Sequence, residues 1–463
     1  MRFRPQALLG AAVAATLLVG GIALDRLGPR VQGPTDRASA VSGSWLCPHG
    51  GGPDWTATIT LVNPGSAPAT ARVRALGSGR PETMDTIQVA PASQASVPVP
   101  ADARGRGTVV DFFGSWIAAG WTAHATGRER GTAMEPCVSS AAGSWLLADG
   151  TTVERQKSAV VVMNPFAADA VFSLVAFTDD RRIRVREWSD VVLRSGRATS
   201  FSLNASALGE ATVGVRLDVS LGRVATSSLG VSRDGGVRSA IGVPGPGVGA
   251  VYLPGGGDAG SAVVVALNPA EEEASLSAAV HAPGPAAPGG IPEEALPPGS
   301  AATFPLEVPD PSSIDVRAAT QVPLAVVRRS VGALGDLGAT SGSPGPAAAW
   351  VVVAAAGIEG GSVPTTTVYL TNPGTESVTV TIRPILPGSA PGEGNEAADP
   401  VTLEVPPASM AATVPVQVGS FLVQVDGQGA VVAGAGASST DTGYALAAGI
   451  PVPPGVLGDG TAA

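Results

Sequence analysis

Apolar and polar residues alternate in short runs along this chain, and each run is stopped by a turn signal. "SVTVTI", ending at Ile382, alternates with period two, as a strand with one buried face does. A β-branched run halted at Asn-Pro and followed by a second run occurs as "TLVNPGSAPATARV" (Thr60 to Val73), "VVMNPFAADAVFSL", "VALNPAEEEASLSA" and "YLTNPGTESVTVTI". Asn tolerates unusual backbone angles and bonds its own backbone in an Asx-turn. Pro fixes φ and lacks the N–H that a central strand would use. Asn-Pro therefore ends one strand and starts a turn.

The Asn-Pro pairs begin at Asn63, Asn164, Asn268 and Asn372, at intervals of 101, 104 and 104 residues. A period of that size is a whole domain rather than a solenoid rung. Other landmarks keep the same order. Each copy opens with an aromatic-apolar strand, at Trp45, Trp145, Tyr252 and Trp350. A Pro/Gly/Ser turn into an alternating strand follows the Asn-Pro hairpin, and a strand pair closes the copy. Turn signals every ~8–12 residues without an amphipathic helix predict an all-β chain of four tandem antiparallel β-sandwiches of immunoglobulin-like type, each ~100 residues. The alternative is a closed β-propeller with two blades per repeat. The expected boundaries are a signal anchor over 1–27, a stalk over 28–43, repeats over 44–140, 141–246, 247–346 and 347–455, and a tail over 456–463.

Ala7 to Leu24 is an uncharged, largely apolar run preceded by Arg2 and Arg4. As a helix it would cover about 27 Å, close to the ~30 Å bilayer core and longer than a typical signal h-region. The expectation is one N-terminal transmembrane helix, retained as a single-pass anchor in the cell membrane, with secretion after cleavage as the alternative. Either places the remaining residues outside the cytoplasm.

The net charge is −10, and Lys157 is the only lysine, which argues against a nucleic-acid footprint. Cys47 and Cys137 are the only cysteines; outside the cytoplasm two thiols pair, here clipping the two ends of the first repeat together. His49, His124 and His281 are scattered at unrelated repeat positions, and His49 and His124 read as surface or loop residues, so neither a metal site nor a Ser-His-Asp constellation is expected, and no cofactor. "GGGDAG" (255–260) matches a dinucleotide fingerprint only in its glycines, because a β-branched strand follows where a helix is required.

The ordered set of aromatic strand, "L-x-NP", Pro-Pro-Gly-Ser turn and "PLAVVRRS" resembles an uncharacterised family of secreted or membrane-anchored actinobacterial proteins. That resemblance implies an envelope location and little chemistry.

Two groups of residues are candidates for binding. Trp55, Trp116 and Trp121 are extra tryptophans of the first repeat, at positions that elsewhere hold Gln, Gly, Pro, Arg, Ser or Ala. Such tolerance predicts an exposed aromatic patch, suited to sugar stacking or a protein partner. Arg182, Arg184 and Arg186 in "DDRRIRVREW" alternate with apolar residues and would share one strand face, where guanidinium groups recognise carboxylate or phosphate. The sequence thus predicts a non-enzymatic extracytoplasmic protein that binds or scaffolds a cell-wall polysaccharide or an envelope protein. The alternative is a structural spacer for membrane polysaccharide machinery, favoured if the tryptophans are buried. A carboxylate-pair glycosidase is a third class.

Overall fold

The computed structural model describes residues 41–256, 260–284, 289–318, 322, 324–332, 335–358, 362–388, 399–414, 419–439 and 443–457. The anchor run Ala7 to Leu24 lies outside the described residues, as do Gly257 to Ala259 of the glycine-rich stretch. Among the described residues no helix is long and apolar enough to cross a membrane.

The first repeat consists of β1 (Val41–Cys47), β2 (Trp55–Asn63), β3 (Ala69–Leu76), β4 (Glu82–Val89), β5 (Ser93–Pro100), β6 (Gly107–Gly114), β7 (Ala118–Thr126) and β8 (Arg130–Pro136). They form two open antiparallel sheets in the orders β1-β6-β3-β4 and β5-β2-β7-β8. The other copies repeat both orders, giving, among the described residues, eight antiparallel sheets in an all-β arrangement without a closed barrel. In the second and fourth copies a short strand, Val243–Pro244 or Ile450–Pro451, adds to the edge beside the first strand.

Repeated side-chain bonds explain the repeated fold. Asn63 is fully buried; its Oδ1 accepts from the Gly65 amide at 3.0 Å, and its Nδ2 donates to the Ala67 and Val89 carbonyls. Asn164, Asn268 and Asn372 make the equivalent bonds. One side chain thus forms the Asx-turn and ties it to the end of the fourth strand. Each amide group is satisfied, as a buried polar group must be.

The first-strand tryptophans are equally regular. Trp45, Trp145 and Trp350 donate Nε1–H to the carbonyls of Ile117, Val224 and Val431, at 2.7, 2.8 and 2.8 Å. The third copy departs from the sequence reading. The strand pairing that matches Leu46 with Val138 and Leu146 with Val243 matches Tyr252 with Ser343. Tyr252 is therefore the counterpart of Leu46, and Val251 stands where the others have Trp. A one-residue shift in a strand moves a side chain to the opposite face, so the tyrosine points away from the core that the tryptophans fill.

Cys47 and Cys137 form a disulfide across a sequence separation of 90, joining β1 to the segment after β8. Closing a loop of that length contributes on the order of 4–5 kcal/mol in the chain-entropy model.

Each copy buries side chains from both its sheets in a shared core: Trp45, Ile59, Val73, Val97, Val110 and Ala123 lie together in the first. The opposite sheet faces are covered as well. Leu46 and Val109 pack with second-repeat residues, while Leu146 and Phe177 pack with Val265 and Val327 of the third. The loop after each first strand lies on the next copy. Ser227 donates its hydroxyl to the Pro48 carbonyl. Gly256 bonds the Tyr444 hydroxyl. The Ala356 carbonyl accepts from His124 at 2.7 Å, which returns the fourth copy to the first. The last strands close the same circuit: β8 lies against Val237–Ile241, then Leu337–Thr340, then Gly443–Ala448, which lies against β8. With both faces covered, Ala118 to Ala125 and all of Ala225–Ser232 are buried. This accounts for strands rich in Ala, Gly, Ser and Thr, because small side chains let sheets approach closely from both sides.

Candidate functional site

The aromatic patch expected of Trp55, Trp116 and Trp121 is not formed, because their exposures are 6%, 7% and 1%. Trp116 packs edge-on against Trp45, with ring centroids 6.1 Å apart. Trp55 lies under the Arg104 guanidinium and donates Nε1–H to Glu129, which also binds Arg104 and sits 3.5 Å from Lys157. Trp121 is in the first-repeat core. Its counterparts by strand pairing are Ser228, Arg328 and Ala435, and all three are buried. Arg328 fits a core position because its donors are spent locally, on the Leu253 and Ser312 carbonyls and the Ser312 and Ser330 hydroxyls.

The arginine run does not share one strand face. The strand ends at Arg184, and Arg186 starts a single 3₁₀ turn, Arg186–Trp188, that drives Trp188 into the core. Arg182 lies over the Phe177 ring and pairs with Glu271 of the next repeat at 2.7 Å, so it belongs to a junction between copies. Arg184 and Arg186 are exposed.

Of the two histidines read as surface or loop residues, His124 lies on β7 and His49 in the loop after β1, and both are buried. His49 Nδ1 donates to the Gly50 carbonyl at 2.7 Å, and Nε2 meets the Thr108 hydroxyl at 3.0 Å. Burial lowers its pKa to about 4, so the ring is neutral at ordinary pH. Burial likewise lowers that of His124.

The densest set of buried ionisable groups was not foreseen. Asp149, in the loop after the second copy's first strand, is fully buried and receives Arg238 Nε at 3.1 Å on each oxygen. Arg329 of the third copy bonds the same carboxylate and, at 3.1 Å, the Gly150 carbonyl. Burial works to raise the Asp149 pKa, but the two guanidinium charges win and hold it below the usual range. Glu135 on β8 is also buried; loss of hydration raises its pKa well above the usual range, against the Ile241 backbone bond and with help from the Asp149 charge. The first three copies therefore meet through a carboxylate clamped by two arginines beside a carboxyl whose hold on its proton burial strengthens. Its chemistry is attachment. The signal in sequence was faint: isolated charges, Asp149 and Arg238, inside otherwise apolar or small-residue runs.

Among the described residues no group of three or more His, Cys, Asp or Glu could hold a metal ion. No curated protein matches the chain. Among solved structures, Escherichia coli alpha-2-macroglobulin activated by porcine elastase aligns with 90% of this chain and 43% of its own, at 10% identity and a TM-score of 0.13, too low to carry an argument. The model of a family of unknown function, DUF5719, matches residues 101–393, more than half of the sequence, and the chain belongs to that family.

Proposed function

We propose that the protein is a non-catalytic scaffold of the cell envelope, standing outside the cytoplasm on an N-terminal anchor and holding an envelope protein or wall glycopolymer on its outer surface. In this reading each copy is one β-sandwich, immunoglobulin-like in its layering, and the four sandwiches close into a ring. Their eight sheets then stack face to face, much as propeller blades do, although the strand order within each sheet is not a simple meander. The observation that carries the reading is the closed circuit of contacts from β8 through Val237–Ile241, Leu337–Thr340 and Gly443–Ala448 back to β8. Buried polar groups are spent on joining copies, which suits a rigid platform. The buried tryptophans argue against sugar stacking by an open patch and favour the alternative, a structural spacer, wherever the outer surface holds no partner. The disulfide supports an oxidising compartment.

The test is photo-crosslinking in living cells from probes placed at exposed Phe113, Arg184 and Leu208. A scaffold gives discrete adducts with envelope proteins or with wall material at one or more positions. Uniform absence of adducts, or processing of wall polymer by the purified chain, would overturn the reading. Thiol labelling of whole cells without reductant should leave Cys47 and Cys137 unmodified.

A further inference from the structure

The third copy lacks the indole that the other three bury. Its Val251 occupies the strand position of Trp45, Trp145 and Trp350, and a cleft opens beside it. Val248, Gly249 and Ala250 form its partly exposed mouth, and Val251, Val316, Leu324 and Val326 are among the residues of its buried walls. The cleft holds about 160 Å³ of atom-free space, part of it open to solvent, and its lining is almost wholly apolar. No water fits inside as the walls now stand.

The carbonyl that receives the indole elsewhere is still in place. Strand pairing makes Leu324 the counterpart of Ile117, Val224 and Val431. In the second copy the Val224 carbonyl accepts both the Ala142 amide, at 3.1 Å, and the Trp145 indole, at 2.8 Å. In the fourth, Val431 likewise takes the Ala347 amide and Trp350. Among the described residues the Leu324 carbonyl accepts only the Val248 amide, at 3.0 Å, so one lone pair is left over. The backbone bridge therefore does not have to break for a second donor to arrive. Val248 lines the cleft, and its counterparts Ala142 and Ala347 are smaller.

We propose that this cleft is a binding slot for a small planar aromatic molecule with one ring N–H, an indole in the simplest case, which lies along Val251 and donates to the Leu324 carbonyl. The chain carries its own template: three copies show what the same backbone holds. The ligand has to push Val248 aside, so wild-type affinity is modest and truncation of Val248 tightens it.

The test is ligand-observed NMR titration of the full chain with indole, 1-methylindole and a Gly-Trp-Gly peptide. Wild type is expected to bind indole, and 1-methylindole about 2- to 10-fold more weakly because it has lost the donor. Val248→Ala should tighten indole binding several-fold. Val251→Trp, which fills the slot from within, should abolish it, with circular dichroism as the check on folding. Failure of both wild type and Val248→Ala to bind indole overturns the proposal, as does equal affinity for 1-methylindole or binding that survives in folded Val251→Trp. Peptide binding as tight as indole overturns the assignment to a free small molecule. None of these outcomes depends on the scaffold reading.

Discussion

The junction between the first and second repeats and the junction between the second and third use the same backbone place for opposite chemistry. At the first, Leu229 enters a mixed apolar cluster with Val161, Val231 and Val237 from its own copy and Ile59 and Trp121 from the preceding one. At the second, its strand counterpart is Arg329, which clamps Asp149 and the Gly150 carbonyl. The same place is Gly436 between the third and fourth copies, where a Cβ would come within 2.6 Å of the Tyr369 hydroxyl, and Thr122 between the fourth and first, where the hydroxyl accepts the Ala356 amide at 3.1 Å. One geometry thus admits leucine, arginine, glycine and threonine. The shared fold demands burial and complementarity at the joint, and the preceding loop decides which chemistry supplies them. Unequal joints also specify order, because a copy built to receive Asp149 cannot accept an apolar loop without stranding a charge.

The comparison predicts that the charged joint is the more fragile. Asp149→Ala leaves the Arg238 and Arg329 guanidinium groups without their shared partner; their side chains are only 1% and 13% exposed. Breaking such a pair costs on the order of 4 kcal/mol, because a buried charge is left uncompensated. Urea denaturation should show it as a fall in midpoint. Replacing all three together, Asp149→Leu with Arg238→Met and Arg329→Met, should recover much of the loss. If the single variant is as stable as wild type, the carboxylate is not the clamp described here.

Leu229→Ala tests the apolar joint. The side chain is 1% exposed, and removing it takes away transfer energy and leaves a void, together about 3 kcal/mol. Leu229→Met, similar in volume, should cost under about 1.5 kcal/mol. The contrast matters more than either value, since an apolar joint tolerates a shape-preserving change and the charged one does not tolerate loss of a single partner.

Acid should separate two buried groups of the first repeat. His49 has its pKa lowered from 6.5 to about 4 by burial. The unfolded chain therefore binds the proton first, and its stabilising contribution, full above about pH 6.5, is lost as pH falls toward 4. The shift corresponds to roughly 3 kcal/mol at most. Glu135 has the opposite sign: its pKa is raised, so its contribution is present at low pH and declines as pH rises above the ordinary carboxyl range. His49→Asn should flatten the loss of stability between pH 6.5 and 4, and Glu135→Gln should make the protein more stable at pH 7 relative to pH 4 than wild type is. Denaturation midpoints at pH 4.5 and 7 for the two variants check both signs; a His49→Asn variant with the wild-type acid slope would show that the imidazole titrates normally.

How much of this was legible depends on what was being read. The Asn-Pro turns, the disulfide and the repeat order were visible because each rests on local chemistry: an amide that bonds its own turn, two thiols, a conserved spacing within one chain. Closure of the copies on themselves entered only through the alternative, a closed β-propeller with two blades per repeat, although it left a trace in strands such as Ala225–Ser232, too rich in small residues for a half-exposed sheet. The tryptophans misled for a related reason. Arg, Ser and Ala at the counterparts of Trp121 suggested a surface position, yet Arg328 shows that arginine occupies a core when carbonyls and hydroxyls meet its donors. The slipped Tyr252 could not be seen by matching aromatic letters, since pairing with Ser343 sets its face.

The smallest expected effect falls at a second ion pair between the same two copies. Arg182 and Glu271 also link the second and third copies, at 2.7 Å, but the glutamate side chain is 81% exposed. Water and salt screen that attraction, and ordering two long side chains costs entropy, so Glu271→Ala should barely change stability. Arg182 stays useful without it, because its guanidinium still covers the Phe177 ring. Arg182→Ala should accordingly cost more than Glu271→Ala, and that difference should survive in high salt, where the ion pair itself is screened out. Equal costs at low salt that vanish together at high salt would mean that the ring contact contributes nothing and that this pair, like the Asp149 clamp, is held by charge alone.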